Sequence, residues 1–175
     1  KGSLVNNEKL RFDFSHNEPI SLENIVKIEN YVKKEIEANT LVDTKTIDHQ
    51  KAIDEGAMAL FGEKYGDEVR VISMGTRENN QIFSKELCGG THVDKTGDII
   101  DFKIINQSSV ASGIRRIEAL SNITVNQYKQ EQTKLINQKK EENKLKIKEL
   151  IKEIKKFDKN FSYNLDNNEE LSISI

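Results

Sequence analysis

With 175 residues and a mass of 20.0 kDa, the chain has enough length for one packed core and an appendage. No apolar run approaches the eighteen or so residues that cross a bilayer, and the opening Lys1-Gly2-Ser3-Leu4 has no cleavable signal pattern, so no membrane contact and a cytoplasmic location are expected. A single cysteine excludes an internal disulfide and suits a reducing compartment, while the net charge of -2 hides a segregation of charge that matters more than the total.

In chain order, Lys9 to Phe14 alternates Leu10, Phe12 and Phe14 with Lys9, Arg11 and Asp13, the period-two pattern of a half-buried strand. Pro19 and Ser21 then open a helix. Ser21 is a candidate N-cap, Glu23 suits the positive helix end, and Leu22, Ile25, Val26, Val32 and Ile36 recur at helical spacing as far as Asn39. A short strand around Leu41 to Ile47 leads to Asp48, a second N-cap candidate. Ala52, Ile53, Ala57, Leu60 and Phe61 follow as an apolar helical face that Gly62 would end. Val69 to Met74, Gln81 to Leu87, Ile99 to Asn106 and Ile114 to Leu120 read as four further strands, linked through Gly75, Gly97 and Gly113. Late strands clustered at short spacing favour antiparallel pairing over repeated crossovers.

After Asn122 neither glycine nor proline occurs, and Lys, Glu and Gln dominate to Lys159, the composition of a long helix. Ile147, Leu150, Ile154 and Phe157 form a coiled-coil seam over its last turns, but Lys140 and Asn143 interrupt the seam further back. Between Lys129 and Lys159 there are 11 Lys against 6 acidic residues, which leaves 16 basic and 23 acidic residues elsewhere. Such a basic segment could touch nucleic acid or be simply a solvated helix surface. The tail from Asn160 is Asn-rich, with Leu171, Ile173 and Ile175 alternating.

The chemistry concentrates in Glu86-Leu87-Cys88-Gly89-Gly90-Thr91-His92-Val93. A thiolate and an imidazole four residues apart can share one metal ion, and zinc accepts that pair. A structural zinc site takes four protein ligands and a catalytic one takes three, whereas only Cys88 and His92 stand out here. Spacing alone therefore does not separate a metal site from an ordinary thiol beside a polar loop. Gly89 and Gly90 favour a tight bend or a close ligand approach. Cys88 as a nucleophile with His92 as its base would need a hydrogen-bonded pair and an orienting third group. His16 could approach the turn across a sheet, and His49 is better placed to decorate a helix start. By alternation, one of Arg115 and Arg116 faces outward, towards a phosphate or, more commonly, an ion-pair partner. Thr91 could hydrogen-bond a substrate hydroxyl or stabilise the turn.

Four blocks, in order, resemble the editing domain of bacterial alanyl-tRNA synthetases: Leu10 to His16, Ala57 to Asp67, Glu86 to Val93 and Gly113 to Ala119. The third block is similar to related editing modules of threonyl-tRNA synthetase and free-standing editing proteins, and the longer blocks followed by a helix point to the alanyl family. The resemblance implies a parent that joins alanine to tRNA(Ala) using ATP in a synthetic domain outside this chain. It also implies a hydrolytic site that clears Ser-tRNA(Ala) and Gly-tRNA(Ala) at the acceptor end. Zinc held by Cys88, His92 and a His-x3-His motif upstream of Lys1 is implied as well.

The expected architecture is α+β, a mainly antiparallel sheet with packed helices followed by a long C-terminal helix. Residues 1–120 would be the editing domain without its N-terminal part, 121–159 a helical, partly coiled-coil extension, and 160–175 a tail. With two of four zinc ligands, this chain alone is expected to edit weakly or not at all. The alternative is a non-catalytic tRNA-binding or oligomerisation module built on the long helix, and the resemblance leaves homo-oligomerisation of the full-length protein open.

Overall fold

The computed structural model describes residues 2–59, 66–75 and 82–163. Two compact units divide the chain, Lys1–Gln127 and Tyr128–Ile175. The architecture is α+β, with two antiparallel sheets and three helices among the described residues, as the alternating patterns imply.

In the first sheet the strand order is β1 (Gly2–Val5), β2 (Leu10–Ser15), β7 (Ile114–Ser121), β6 (Phe102–Ala111). Period-two alternation gives this sheet two unlike faces. One carries Leu10, Phe12, Phe14, Ile117 and Ala119, with Leu10 opposite Ala119 and Phe12 opposite Ile117. With Ile20, Ile28 and Val32 these residues line a hollow of about 510 Å³. The other face carries Asp13 opposite Arg116 and Arg11 opposite Glu118. β6 reaches its partner through two register shifts, one between Ile104 and Asn106 and one between Ser109 and Ala111.

Helix α1 (Leu22–Glu37) starts where the sequence indicates: Ser21 accepts a hydrogen bond from the Asn24 amide at 3.2 Å. Its buried positions are Ile36 and, against the apolar pattern, Glu29. The Glu29 carboxylate accepts from the Ile104 amide at 2.8 Å and the Lys103 ammonium at 3.0 Å, so it ties the helix to β6. A carboxylate so nearly enclosed is tolerated because both bonds are charge-assisted.

The second sheet has the order β3 (Val42–Asp48), β4 (Glu68–Met74), β5 (Ser84–Leu87). Asp48 caps α2 (His49–Asp54), accepting from the Lys51 amide at 2.9 Å. This helix stops at Gly56, whose φ of 81° needs the glycine, and not at Gly62. Leu60, Phe61 and Gly62 lie outside the described residues. Ala52, Ala57, Val69, Val71 and Leu87 form the core beneath α2, with Ile47 packed on it. A 3-10 turn, Thr96–Ile99, joins β5 to β6 and takes the place of the expected start of a strand at Ile99.

Helix α3 (Ile123–Phe157) runs as the glycine-free composition predicts, and Val125 in its first turn is fully buried. Farther along, Leu150, Ile154 and Phe157 are exposed, Phe157 to 93%. Among the described residues no helix is long and apolar enough to cross a membrane.

The Asp13 and Arg116 side chains meet in a two-pronged ion pair at 2.7 and 2.8 Å. The Arg116 hydrogen bond holds the Asp13 carboxyl below its ordinary value of 3.8, and burial opposes that shift. A depressed folded-state value means that the stabilisation is complete above pH 3.8 and fades as pH falls through the folded value. Asp13→Asn is expected to lower the melting temperature at pH 7, with the gap to the parent chain closing below pH 3.8. Thermal melts from pH 7 downward check it, and a gap that persists unchanged in acid would contradict it.

Candidate metal centre

The second sheet builds the candidate site on the face opposite the one that packs beneath α2. Along β4, Val69 and Val71 point to the core beneath α2, so Arg70 and Ile72 point to the other face. Ile72 pairs with Glu86 across the strands and Val71 with Leu87, so the next step brings Arg70 opposite Cys88. The Cys88 amide donates to the Arg70 carbonyl at 3.1 Å, the last rung before the chain leaves the sheet. Glu86, Cys88 and Arg70 thus share one face.

The outer edge of β5 is also held. Met58 forms a parallel bridge with Glu86: its amide donates to the Lys85 carbonyl and its carbonyl accepts from the Leu87 amide, each at 2.9 Å. Two-sided pairing of a four-residue strand limits fraying just where the strand delivers Glu86 and Cys88.

Past Leu87 the chain turns, and His92 Nε2 returns to 3.2 Å from Cys88 Sγ. Glu86, Cys88 and His92 each offer one ligand atom, and these atoms all lie within 4.8 Å of one another. Among the described residues this is the one such grouping of His, Cys, Asp and Glu. Thiolate, imidazole and carboxylate are all zinc donors, so the donor set fits that metal. Glu86 was not singled out from the sequence; its signal was its position two residues before Cys88 on a strand, which puts both on one face.

Gly89 and Gly90 do not serve a strained bend. Neither has a left-handed φ; a Cβ at Gly89 would meet nothing within 4 Å, and one at Gly90 would sit 3.6 Å from Cys88 Sγ. The backbone bends at Gly90, and the missing side chain there leaves one side of the thiol uncovered, which suits close ligand approach.

The other histidines stay apart from this cluster. His16 follows β2 in the first sheet, its ring 6.2 Å from that of Phe14, and its amide donates to the Gly113 carbonyl. His49 opens α2, its amide bonded to the Asp67 carbonyl. Arg116 is engaged by Asp13, while Arg115 projects from the opposite face of β7. A Cys88–His92 nucleophile and base pair needs a third group to orient the imidazole, and among the described residues none hydrogen-bonds its other ring nitrogen.

Residues 69–118, which span β4 to β7 and hold the cluster, match the threonyl and alanyl tRNA synthetase second additional domain. The chain is thus of the class that carries this module. It is 48% identical over 136 residues to an alanine-tRNA ligase of Mesorhizobium japonicum, an alignment covering 75% of this chain and 15% of the relative. A second alanine-tRNA ligase, from Parvibaculum lavamentivorans, is 50% identical over 123 residues, covering 69% of this chain and 14% of that protein. The chain belongs to the alanyl-tRNA synthetase family, and it spans only 15% and 14% of the length of these two members.

Proposed function

We propose that this chain carries the editing function of an alanyl-tRNA synthetase: hydrolysis of the ester that joins a wrong amino acid, serine or glycine, to the acceptor end of tRNA(Ala). What supports the reading most is the convergence of Glu86, Cys88 and His92 on one face of the matched domain. The need for such a step is physical. A pocket shaped for alanine excludes larger side chains by clash, but glycine fits within it and an added serine hydroxyl is rejected only weakly. A second, hydrolytic site must then remove the errors.

Zinc is the metal that this donor set suits, and when bound it supplies a Lewis acid for the ester carbonyl or for water. Cys88 and His92 would hold it, joined by the His-x3-His pair implied by the family resemblance. Glu86 is a ligand or a proton acceptor beside the attacked ester. The open space left by Gly89 and Gly90 admits the terminal ribose. ATP and alanine would be handled elsewhere in the longer protein, in the cytoplasm. In that protein the exposed Leu150, Ile154 and Phe157 of α3 are a surface for self-association.

The test is hydrolysis of Ser-tRNA(Ala) by this chain beside a version extended upstream through the His-x3-His motif, each with and without His92→Ala. The extended chain is expected to hydrolyse the ester, the 175-residue chain to do so weakly or not at all, and His92→Ala to abolish the activity. An extended chain that is inactive, or indifferent to His92, would sink the reading.

A further inference from the structure

We propose that Arg70 is a positioning residue for the Cys88–His92 pair, acting as a clasp on the turn between them. Its guanidinium Nη1 donates to the Cys88 carbonyl at 3.2 Å and also to the Gly90 carbonyl. The β4–β5 ladder ends at the Cys88 amide, so neither carbonyl has a ladder partner beyond that rung. Gly89 and Gly90 follow, the two residues with the most backbone freedom to lose on ordering. The clasp thus falls on the segment least able to order itself.

Arginine suits this task in a way that other side chains do not. Its planar fork presents several N–H groups in fixed geometry, and a charged donor makes the stronger bond to a carbonyl. Among the described residues no carboxylate forms an ion pair with Arg70, so its charge is directed at these two carbonyls. Its backbone carbonyl simultaneously accepts from the Cys88 amide at 3.1 Å. One residue therefore grips Cys88 from both its amide and its carbonyl side and reaches two residues farther to Gly90. The thiol is held where His92 Nε2 can come within 3.2 Å. Outer partners of this kind orient ligands without touching the metal.

The metal consequence rests on the proposed zinc reading, whereas the ordering of the turn does not, and two measurements separate them, the first on the chain extended upstream through the His-x3-His motif and the second on the 175-residue chain. Cobalt(II) titration reads the thiolate-to-metal charge-transfer band, with Cys88→Ser as its control. Amide 15N relaxation at Gly89 and Gly90 reads the turn without metal. Arg70→Gln is expected to weaken cobalt affinity about 10- to 100-fold. It should also lower the two glycine order parameters below about 0.6, while the melting curve stays close to that of the parent chain. Arg70→Lys, with one ammonium to span two carbonyls, should fall between, and it decides the matter if the glutamine variant does not fold. Arg70 variants that keep parental glycine order parameters overturn the clasp. If the extended parent chain shows no Cys88-dependent band, the zinc reading fails, and loosened glycines in Arg70→Gln would still support the clasp.

Discussion

Cys88→Ala, in a form of the protein extended through the His-x3-His motif, is expected to remove nearly all bound zinc and to cut hydrolysis of Ser-tRNA(Ala) by more than about a hundredfold. The magnitude follows from comparison with milder lesions. Changing an outer partner of a ligand typically costs 10- to 100-fold in metal affinity or activity, and deleting a ligand removes a bond to the ion itself. Cys88 is also the single cysteine of these 175 residues, so no other thiol of this segment can take over. Glu86→Gln makes the complementary case, since the amide keeps the size of the side chain but neither accepts a proton as a base nor binds zinc as a carboxylate. If Glu86 accepts a proton, zinc content stays near parental while the rate falls; if it is a ligand, both fall together. Zinc per chain by atomic absorption, beside the deacylation rate, reads the difference. Full activity in Cys88→Ala would remove the metal from the proposal altogether.

How much of this was legible beforehand depended on whether the controlling interaction was local. Ser21 and Asp48 were readable as N-caps because a cap is decided within three residues, and both accept the predicted amide bond. The strand around Leu10, Phe12 and Phe14 was readable because an amphipathic face is written at period two. By contrast, β1 escaped notice: its four residues Gly2–Val5 have little alternation, and it exists because β2 offers an edge for pairing. The extent of α2 was misjudged for a similar reason. Ala57 joined an apparent helical face, yet Gly56 takes a φ of 81° and the chain turns so that Met58 pairs with β5. Glu29 was invisible as a buried group because its partners, Lys103 and the Ile104 amide, lie more than seventy residues away. At the candidate site, Cys88 and His92 were legible as a pair four residues apart. Glu86 had a local signal in its place two residues before Cys88, whereas Arg70 needed the strand register, a tertiary fact that no local pattern carries.

The same register singles out Ile72 as the position where a core substitution should do most harm. Ile72 is fully enclosed, at 0% exposure, and with Val125 it is one of the two largest side chains so buried among the described residues. It stands between Arg70 and Met74 on β4 and opposite Glu86, directly within the platform that presents the donor cluster. Ile72→Ala deletes three carbons from a site with no access to water, and interiors of this kind relax only in part around a void. A loss of about 3 kcal/mol is expected, the middle of the range for such truncations. For a unit of this size that corresponds to a fall of roughly 10 °C in melting temperature. Leu150→Ala, at a side chain left 58% exposed on α3, should scarcely move the same transition. Because β4 carries both Ile72 and Arg70, the cavity should also loosen the turn at Cys88, so cobalt affinity and stability should drop together in Ile72→Ala. Ile72→Val, which removes one carbon, should cost about 1 kcal/mol and leave cobalt binding near parental. A melting temperature unchanged by Ile72→Ala would mean that the second sheet does not carry the stability of its unit, and the platform argument for the site would lose its basis.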